Sequence, residues 1–358
     1  MVYSASIDVA AGSQKYQYQH YYFLVRQSAY LLIAFICGYI TFLIPVYFWQ
    51  RWAPYLFLIG AVLLVLVLIP GIGLKINGSR RWISLVVANF QPTELVKLFT
   101  VMYASDYVLR KSKQMRTIVK GFLPMLGVMI FTGALVFVEP DLGALIVITA
   151  IAMGILFLGG LTLRVILSLA ILAPIGVWGA ILISPYKQAR IRGFLDPWAP
   201  ENVLGSGYQT TQAQMAFGNG EFFGSGVGNS VAKLSFLPEA HTDFIMAIIG
   251  EEFGLFGVTI VIGLFAFLII RMFGIAKESI KNNRHFAALM AQGVAIWFSI
   301  QCTINIAVNL GLFPTKGLTL PLLSFGGSSV LVSVVAIAIV LRIDHENRRN
   351  LRGQHYNK

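Results

Sequence analysis

The residues that could do chemistry here are ionisable ones set in or beside apolar runs. QPTELVK (91–97) places Glu94 and Lys97 at i, i+3, on one helix face, behind a Pro92 that suits a first helical turn. That pair is either a local ion pair, with Glu94 favoured by the helix N-terminus, or part of a ligand site. NGSRRW (77–82) puts Arg80 and Arg81 just before it. They could snorkel to lipid phosphate, or one could fork onto a substrate pyrophosphate. Glu139 and Asp141 flank Pro140, and Asp141 could cap a helix starting at Leu142. Glu251 and Glu252 are adjacent, so they point to different faces of a helix and at most one is expected to be functional. In PEAHTDF (238–244), Asp243 ends a polar stretch and opens an apolar one, beside Glu239 and His241. A carboxylate there can cap a helix, or take a proton from a sugar hydroxyl at a membrane surface. The helix N-terminus lowers its pKa and desolvation raises it.

The elements that carry these residues follow from composition. The chain has 358 residues, 57% hydrophobic and only 12% charged, with a mean hydropathy of +0.75. Soluble domains carry about 25% charged residues, and a water-facing fold cannot hide so much apolar surface. The same numbers exclude disordered, collagen-like, coiled-coil and disulfide-scaffold chains. The fold expected is all-α and polytopic, a single integral membrane domain over 1–358. A spanning helix needs roughly 20 apolar residues, and nine such stretches can be read: 28–48, 54–73, 91–109, 121–139, 142–161, 163–184, 244–271, 286–311 and 327–343. The one long polar excursion is 185–243, rich in glycine and aromatic residues, which suits a loop at the membrane interface.

The net charge is +12. One set of alternate connections, including 110–120, 271–284 and 342–358, holds sixteen Lys and Arg, and the other holds ten. The richer set is expected to be cytoplasmic. That places the C-terminus and a 344–358 tail inside, and 185–243 in an extracytoplasmic loop. The basic surplus is then topology and attraction to anionic lipid, and needs no nucleic acid. Cys37 and Cys302 lie in apolar runs, and no signal peptide is visible. No HExxH, CxxC pair or P-loop occurs, so no built-in metal or nucleotide site is expected.

Several long motifs, in order and over nearly the whole chain, resemble the SEDS proteins (shape, elongation, division and sporulation). They are NGSRRW with FQPTELVK, EPDLG (139–143), PEAHTDF followed by GEEFG (250–254), and PTKGLTLPLLSFGGSS (314–329). FLDPWAPENVLGSGYQ (194–209), PTKGLTLP and RIDHENR (342–348) are similar to the cell-division branch. Phe325 stands where the family usually has Tyr, and Thr93 where Ser is common. The family has ten spans, so the start of this chain resembles the outer end of a first span whose helix lies upstream.

The resemblance implies a peptidoglycan glycosyltransferase that polymerises lipid II at the septum, in the bacterial cytoplasmic membrane. Asp243 matches the family's essential acid, with the implied role of general base. Arg81, Glu94, Lys97 and Asp141 match polar positions lining the family's cavity. His241, Lys316 and Ser324 complete the substrate-binding set expected, with Lys316 and Ser324 in the loop before the last span. The implied partners are lipid II, undecaprenyl pyrophosphate, the class B penicillin-binding transpeptidase FtsI and the FtsQ–FtsL–FtsB complex. A divalent cation could screen the pyrophosphate, but nothing in the sequence requires one. A lipid II flippase and a non-catalytic division scaffold are the alternatives.

Overall fold

The computed structural model describes residues 1–11, 19–76, 79–85, 88–169, 171, 185–234 and 236–351. In chain order the helices are α1 (Val2–Ala11), α2 (Tyr22–Leu43), α3 (Val46–Leu68), α4 (Pro92–Arg110), α5 (Leu123–Val138), α6 (Leu142–Leu158), α7 (Pro185–Leu195), α8 (Pro200–Val203), α9 (Tyr208–Gly220), α10 (Ile245–Lys281), α11 (His285–Asn309) and α12 (Gly327–Leu351). Strands β1 (Gly73–Ile76), β2 (Ser79–Leu85) and β3 (Ala88–Phe90) stand between α3 and α4.

Among the described residues, six helices are long and apolar enough to cross a membrane: α2, α3, α5 with the turn before it (Ile118–Val138), α10, α11 and α12. The apolar α6 is shorter. Helix α4 coincides with the predicted stretch 91–109, but its composition is mixed. It compensates by burying nearly every residue from Pro92 to Val108, with Lys97 bonded to Glu94 and the Thr100 and Ser105 hydroxyls bonded to carbonyls one turn back. The predicted stretch 163–184 falls mostly outside the described residues.

The chain divides into two compact units, each assembled from separate segments: one from 1–30, 168–266 and 301–326, the other from 31–167, 267–300 and 327–358. In the first, small residues let helices approach closely. Ala213 and Ala216 of α9 join Ala247 and Ile248 of α10 and Val308 of α11 in a buried cluster. The 185–243 excursion, expected as a loop, contains α7, α8 and α9.

In the second unit, α4 packs against α3 and α6, and Leu64, Val96, Val136, Ala144 and Ile148 form a core. The stretch between α3 and α4, read from sequence as a plain connection, holds β1, β2 and β3 in an antiparallel sheet of order β1-β2-β3. A bulge lies at Leu74/Lys75, and Lys75 stands opposite Arg80. Strand alternation sends Arg80 and Arg81 to opposite faces. Elsewhere in this unit Glu346, within RIDHENR, accepts from Arg284, Arg342 and the Val46 N–H, tying α11, α12 and the start of α3 together.

Candidate functional site

In the first unit, Asp243 is half-buried on a turn just before α10. Its backbone is held from both directions. The Asp243 N–H donates to the Glu239 carbonyl at 3.1 Å. The Asp243 carbonyl accepts from Asn305 Nδ2 at 3.0 Å and from Asn309 Nδ2 at 2.9 Å. Asn309 Oδ1 also accepts the Ala247 N–H at 3.0 Å, sharing that first-turn donor of α10 with the Phe244 carbonyl, also at 3.0 Å. Asn305 reaches the Leu318 carbonyl as well, at 2.6 Å, and Gln301 donates to the Thr319 carbonyl at 2.8 Å. One face of α11 thus fixes Asp243 and the 314–326 loop together. A Cβ built on Gly317 would stand 3.2 Å from Asp243 Oδ2, so only a hydrogen there leaves ordinary room. That brings Lys316, the neighbour of Gly317, into the same neighbourhood as Asp243.

His241 is buried, with its ring 4.6 Å from that of Phe23 and 5.6 Å from that of Phe325, centroid to centroid. Burial pushes its pKa below the ordinary imidazole value, while the charge of Glu239 pulls weakly the other way. The ring is therefore neutral at pH 7. Its carbonyl accepts the Phe325 N–H at 2.9 Å. Ser324 is buried too. Its Oγ accepts the Leu320 N–H at 2.8 Å, and its carbonyl accepts from Gln27 at 3.4 Å. Both residues hold the turn in shape, and substrate contact by either would need that packing to open.

Glu251 and Glu252 are both buried and both bonded, to different partners. Glu251 accepts from Ser230 Oγ and from the N–H groups of Val231 (3.1 Å) and Ala232 (3.2 Å). Glu252 pairs with Lys233 at 3.1 Å and accepts from Ser4. Their adjacency, which sends them to different faces, serves two anchors for the loop leading to Asp243.

In the second unit, Arg81 of β2 donates from Nε to the Glu139 carbonyl at 3.0 Å and from Nη2 to the Pro140 carbonyl. A guanidinium has five N–H donors, and these bonds use two. Asp141 caps α6, its Oδ1 accepting the Ala144 N–H at 3.0 Å, while its Oδ2 accepts from Gln91 Nε2 at 3.1 Å. Gln91 is the N-cap residue of α4, so Asp141 links the two helix starts. One turn on, Lys97 is 0% exposed and bonds Glu94 at 2.8 Å. Its Nζ also lies 5.3 Å from the centre of the Trp297 ring, within cation–π range. Both carboxyl oxygens of Glu139 are buried without a hydrogen-bond partner. Burial, helped by the charge of Asp141 and opposed by Arg81, pushes its pKa up to about 8.

The first unit therefore gathers Asp243, His241, Lys316 and Ser324, and the second gathers Arg81, Glu94, Lys97 and Asp141. Asn305, Asn309, Gly317 and Gln91 escaped the sequence reading, which weighed ionisable groups alone. An Asn pair at i, i+4 inside an apolar helix was the available signal, because amides in a span also demand partners.

A multi-span helical membrane protein with a half-exposed carboxylate on a rigid turn is the class that this fold and site define. The chain belongs to the FtsW/RodA/SpoVE cell cycle protein family, whose profile matches residues 1–349. It is 50% identical over 353 residues to a probable peptidoglycan glycosyltransferase FtsW of Aromatoleum aromaticum, covering 99% of this chain and 86% of that one. A Burkholderia thailandensis protein of the same name is 49% identical, with 99% and 76% covered. Among solved structures, the chain matches one from work on structural coordination of polymerization and crosslinking by a peptidoglycan synthase complex. The TM-score is 0.75 at 27% identity, over 91% of this chain and 90% of that one. It also matches the Thermus thermophilus rod shape determining protein RodA, with a TM-score of 0.65 at 25% identity, over 90% and 88%.

Proposed function

We propose that this chain is a peptidoglycan glycosyltransferase that extends septal glycan strands from lipid II during cell division. Relatives about half identical along its whole length carry that activity in their names. The observation that carries the chemical assignment is the fixing of Asp243. A half-exposed carboxylate whose backbone is bonded on both sides is preorganised to take a proton at a set point.

In this reading the growing strand, linked to undecaprenyl pyrophosphate, is the donor, and the 4-hydroxyl of lipid II's N-acetylglucosamine is the acceptor. Asp243 takes the hydroxyl proton as the new oxygen attacks the anomeric carbon. The bond from that carbon to pyrophosphate breaks, and undecaprenyl pyrophosphate leaves with the electron pair. Displacement with inversion gives a β-1,4 linkage, and the pyrophosphate bond supplies the driving force. Arg81, whose guanidinium has donors beyond its two carbonyl bonds, suits a lipid-linked phosphate. Lys97 is fully buried against Glu94, which suits charge balance within the helix core better than direct phosphate contact. A divalent cation accompanying the pyrophosphate would enter with the substrate.

The multi-pass membrane placement rests on the apolar helices. The septal location, the cytoplasmic C-terminus, and partnership with FtsI and the FtsQ–FtsL–FtsB complex extend the same reading. Its test is polymerisation of lipid II by the purified protein with its cognate class B transpeptidase. Asp243→Ala is expected to lower polymer formation by roughly 10²–10⁴-fold, the usual weight of a general base. Equal polymer from wild type and variant would remove Asp243 from the reaction. Translocation of lipid II in sealed vesicles without any polymer would replace the enzyme with a flippase.

A further inference from the structure

Helix α10 is interrupted at Gly254, whose φ is +64°. The chain that follows α9 supplies what the interruption removes. The Leu255 N–H donates to the Glu221 carbonyl at 2.9 Å, and the Phe256 N–H to the Phe222 carbonyl at 3.1 Å. On the way back, the Ser225 N–H donates to the Glu251 carbonyl at 2.9 Å, and the Gly226 N–H to the Glu252 carbonyl at 3.1 Å. The Gly224 N–H closes the turn onto the Gly220 carbonyl at 2.7 Å. Residues 221–226 thus run alongside the helix to the level of Phe256, double back, and leave at the level of Glu251 and Glu252. Phe222 and Phe223 form the tip, exposed by 70% and 85%. Glycine permits the approach: a Cβ at Gly224 would fall 2.2 Å from the Glu252 carbonyl oxygen.

The level of that tip is set by α10 itself. Between Glu252 and Arg271 the helix carries no charged residue. That run is about 27 Å long at 1.5 Å per residue, close to the roughly 30 Å of a hydrocarbon core. Leu255, Phe256, Ile260 and Leu264 are exposed on it, a face open to lipid in a spanning helix. The tip is hydrogen-bonded at the first turn of this run. Irregular backbone survives at such depth only where its polar groups are already paired. The bonds above pair the two limbs and leave the N–H groups of Phe222 and Phe223 to headgroups and water, which keeps the tip at the edge of the bilayer.

We propose that residues 221–226 are a wedge whose tip, Phe222–Phe223, sits among phospholipid acyl chains at the edge of the bilayer. Its apolar surface continues the lipid-facing side of α10, and the exposed Glu221 just before the tip limits how deep it goes. The inference rests on α10 crossing the membrane and not on the reaction assigned to Asp243, so lost polymerisation leaves it standing.

The test uses the full chain in phosphatidylethanolamine/phosphatidylglycerol nanodiscs, with Cys37→Ser and Cys302→Ala as background. Nitroxide labels go on Phe222→Cys, Phe223→Cys, Val227→Cys and two references, Phe256→Cys and Leu204→Cys. Relaxation by oxygen, which partitions into lipid, is compared with relaxation by a water-soluble nickel chelate. Positions 222 and 223 are expected to match 256, favouring oxygen at least several-fold over 204, with 227 between. A water-like ratio at both tip positions overturns the wedge. So does exclusion of both relaxants, which would mean protein covers the tip, or an oxygen signal seen only after undecaprenyl phosphate is added, which would assign the surface to a polyprenyl chain. Thermal unfolding within a few degrees of the background shows that each labelled chain is folded.

Discussion

The amide of Asn309 donates to the main-chain carbonyl of Asp243 at 2.9 Å and, through Oδ1, accepts from Ala247 at 3.0 Å. One side chain therefore sets both the position of the carboxylate-bearing residue and the first turn of α10. Replacing Asn309 with Ala leaves the Asp243 carbonyl with the Asn305 bond and the Ala247 N–H with its bond to the Phe244 carbonyl, so the loss is that of two ordinary hydrogen bonds, about 0.5–1.5 kcal/mol each. The expected outcome is a lower melting temperature together with a fall in kcat at unchanged KM for lipid II. Steady-state polymerisation on the folded fraction checks it, and a fall in KM-dependent rate alone would place Asn309 elsewhere.

Gly317 is a sharper probe, because it perturbs Asp243 from the loop side. With Ala there, the new methyl meets Asp243 Oδ2 at 3.2 Å and either it or the carboxylate must shift by a few tenths of an ångström. Such a change costs little stability but disturbs the oxygen proposed to take the proton. Gly317→Ala is expected to unfold within a few degrees of wild type and to polymerise at least ten-fold more slowly. Wild-type turnover in this variant would show that the close approach has no bearing on the reaction.

Lys97 and Glu94 form a buried pair, and such pairs are costly to break and cheap to replace. Lys97→Ala, leaving Glu94 uncompensated, is expected to destabilise by about 3–5 kcal/mol. The double change Lys97→Met, Glu94→Gln is expected to recover most of that. Thermal unfolding in detergent of Lys97→Met, Glu94→Gln and the double measures the coupling. If the double variant were as damaged as Lys97→Ala, uncompensated charge would not be the cause.

Glu139 gives the protein a pH signature. Its folded-state pKa, near 8, lies above the ordinary carboxylate value because it is buried, with Asp141 adding to the effect. The folded state then holds the proton more tightly than the unfolded one. The contribution is fully present below about pH 4.5 and is lost progressively up to pH 8, beyond which it is flat. Glu139→Gln should remove that part of the slope, and melting temperatures from pH 5 to 8.5 for wild type and variant test it. Parallel curves would mean that Glu139 finds a partner or solvent.

Much of this was readable in the residues. Spans declare themselves because lipid tolerates only long apolar helices, and Asp141 declared itself as a cap by standing directly before an apolar run. Glu94 and Lys97 paired as their spacing allowed. The sheet between α3 and α4 stayed hidden because its strands are short and its alternation is broken by the bulge at Leu74/Lys75. Glu251 and Glu252 do bond different partners, as adjacent residues on different faces must, but the partners themselves were hidden because they lie on a loop far along the chain. Asn305 and Asn309 were missed because their bonds run to main-chain carbonyls more than a dozen residues away, which no local pattern encodes.

Asn305 holds two carbonyls at once, that of Asp243 and that of Leu318. The loop before α12 and the turn before α10 therefore share a rivet. A binding protein that grips the loop needs no access to the carboxylate to affect it, since a pull of a fraction of an ångström travels through one amide. The tether works in reverse as well: a substrate that displaces Asp243 reports its arrival on the protein's surface.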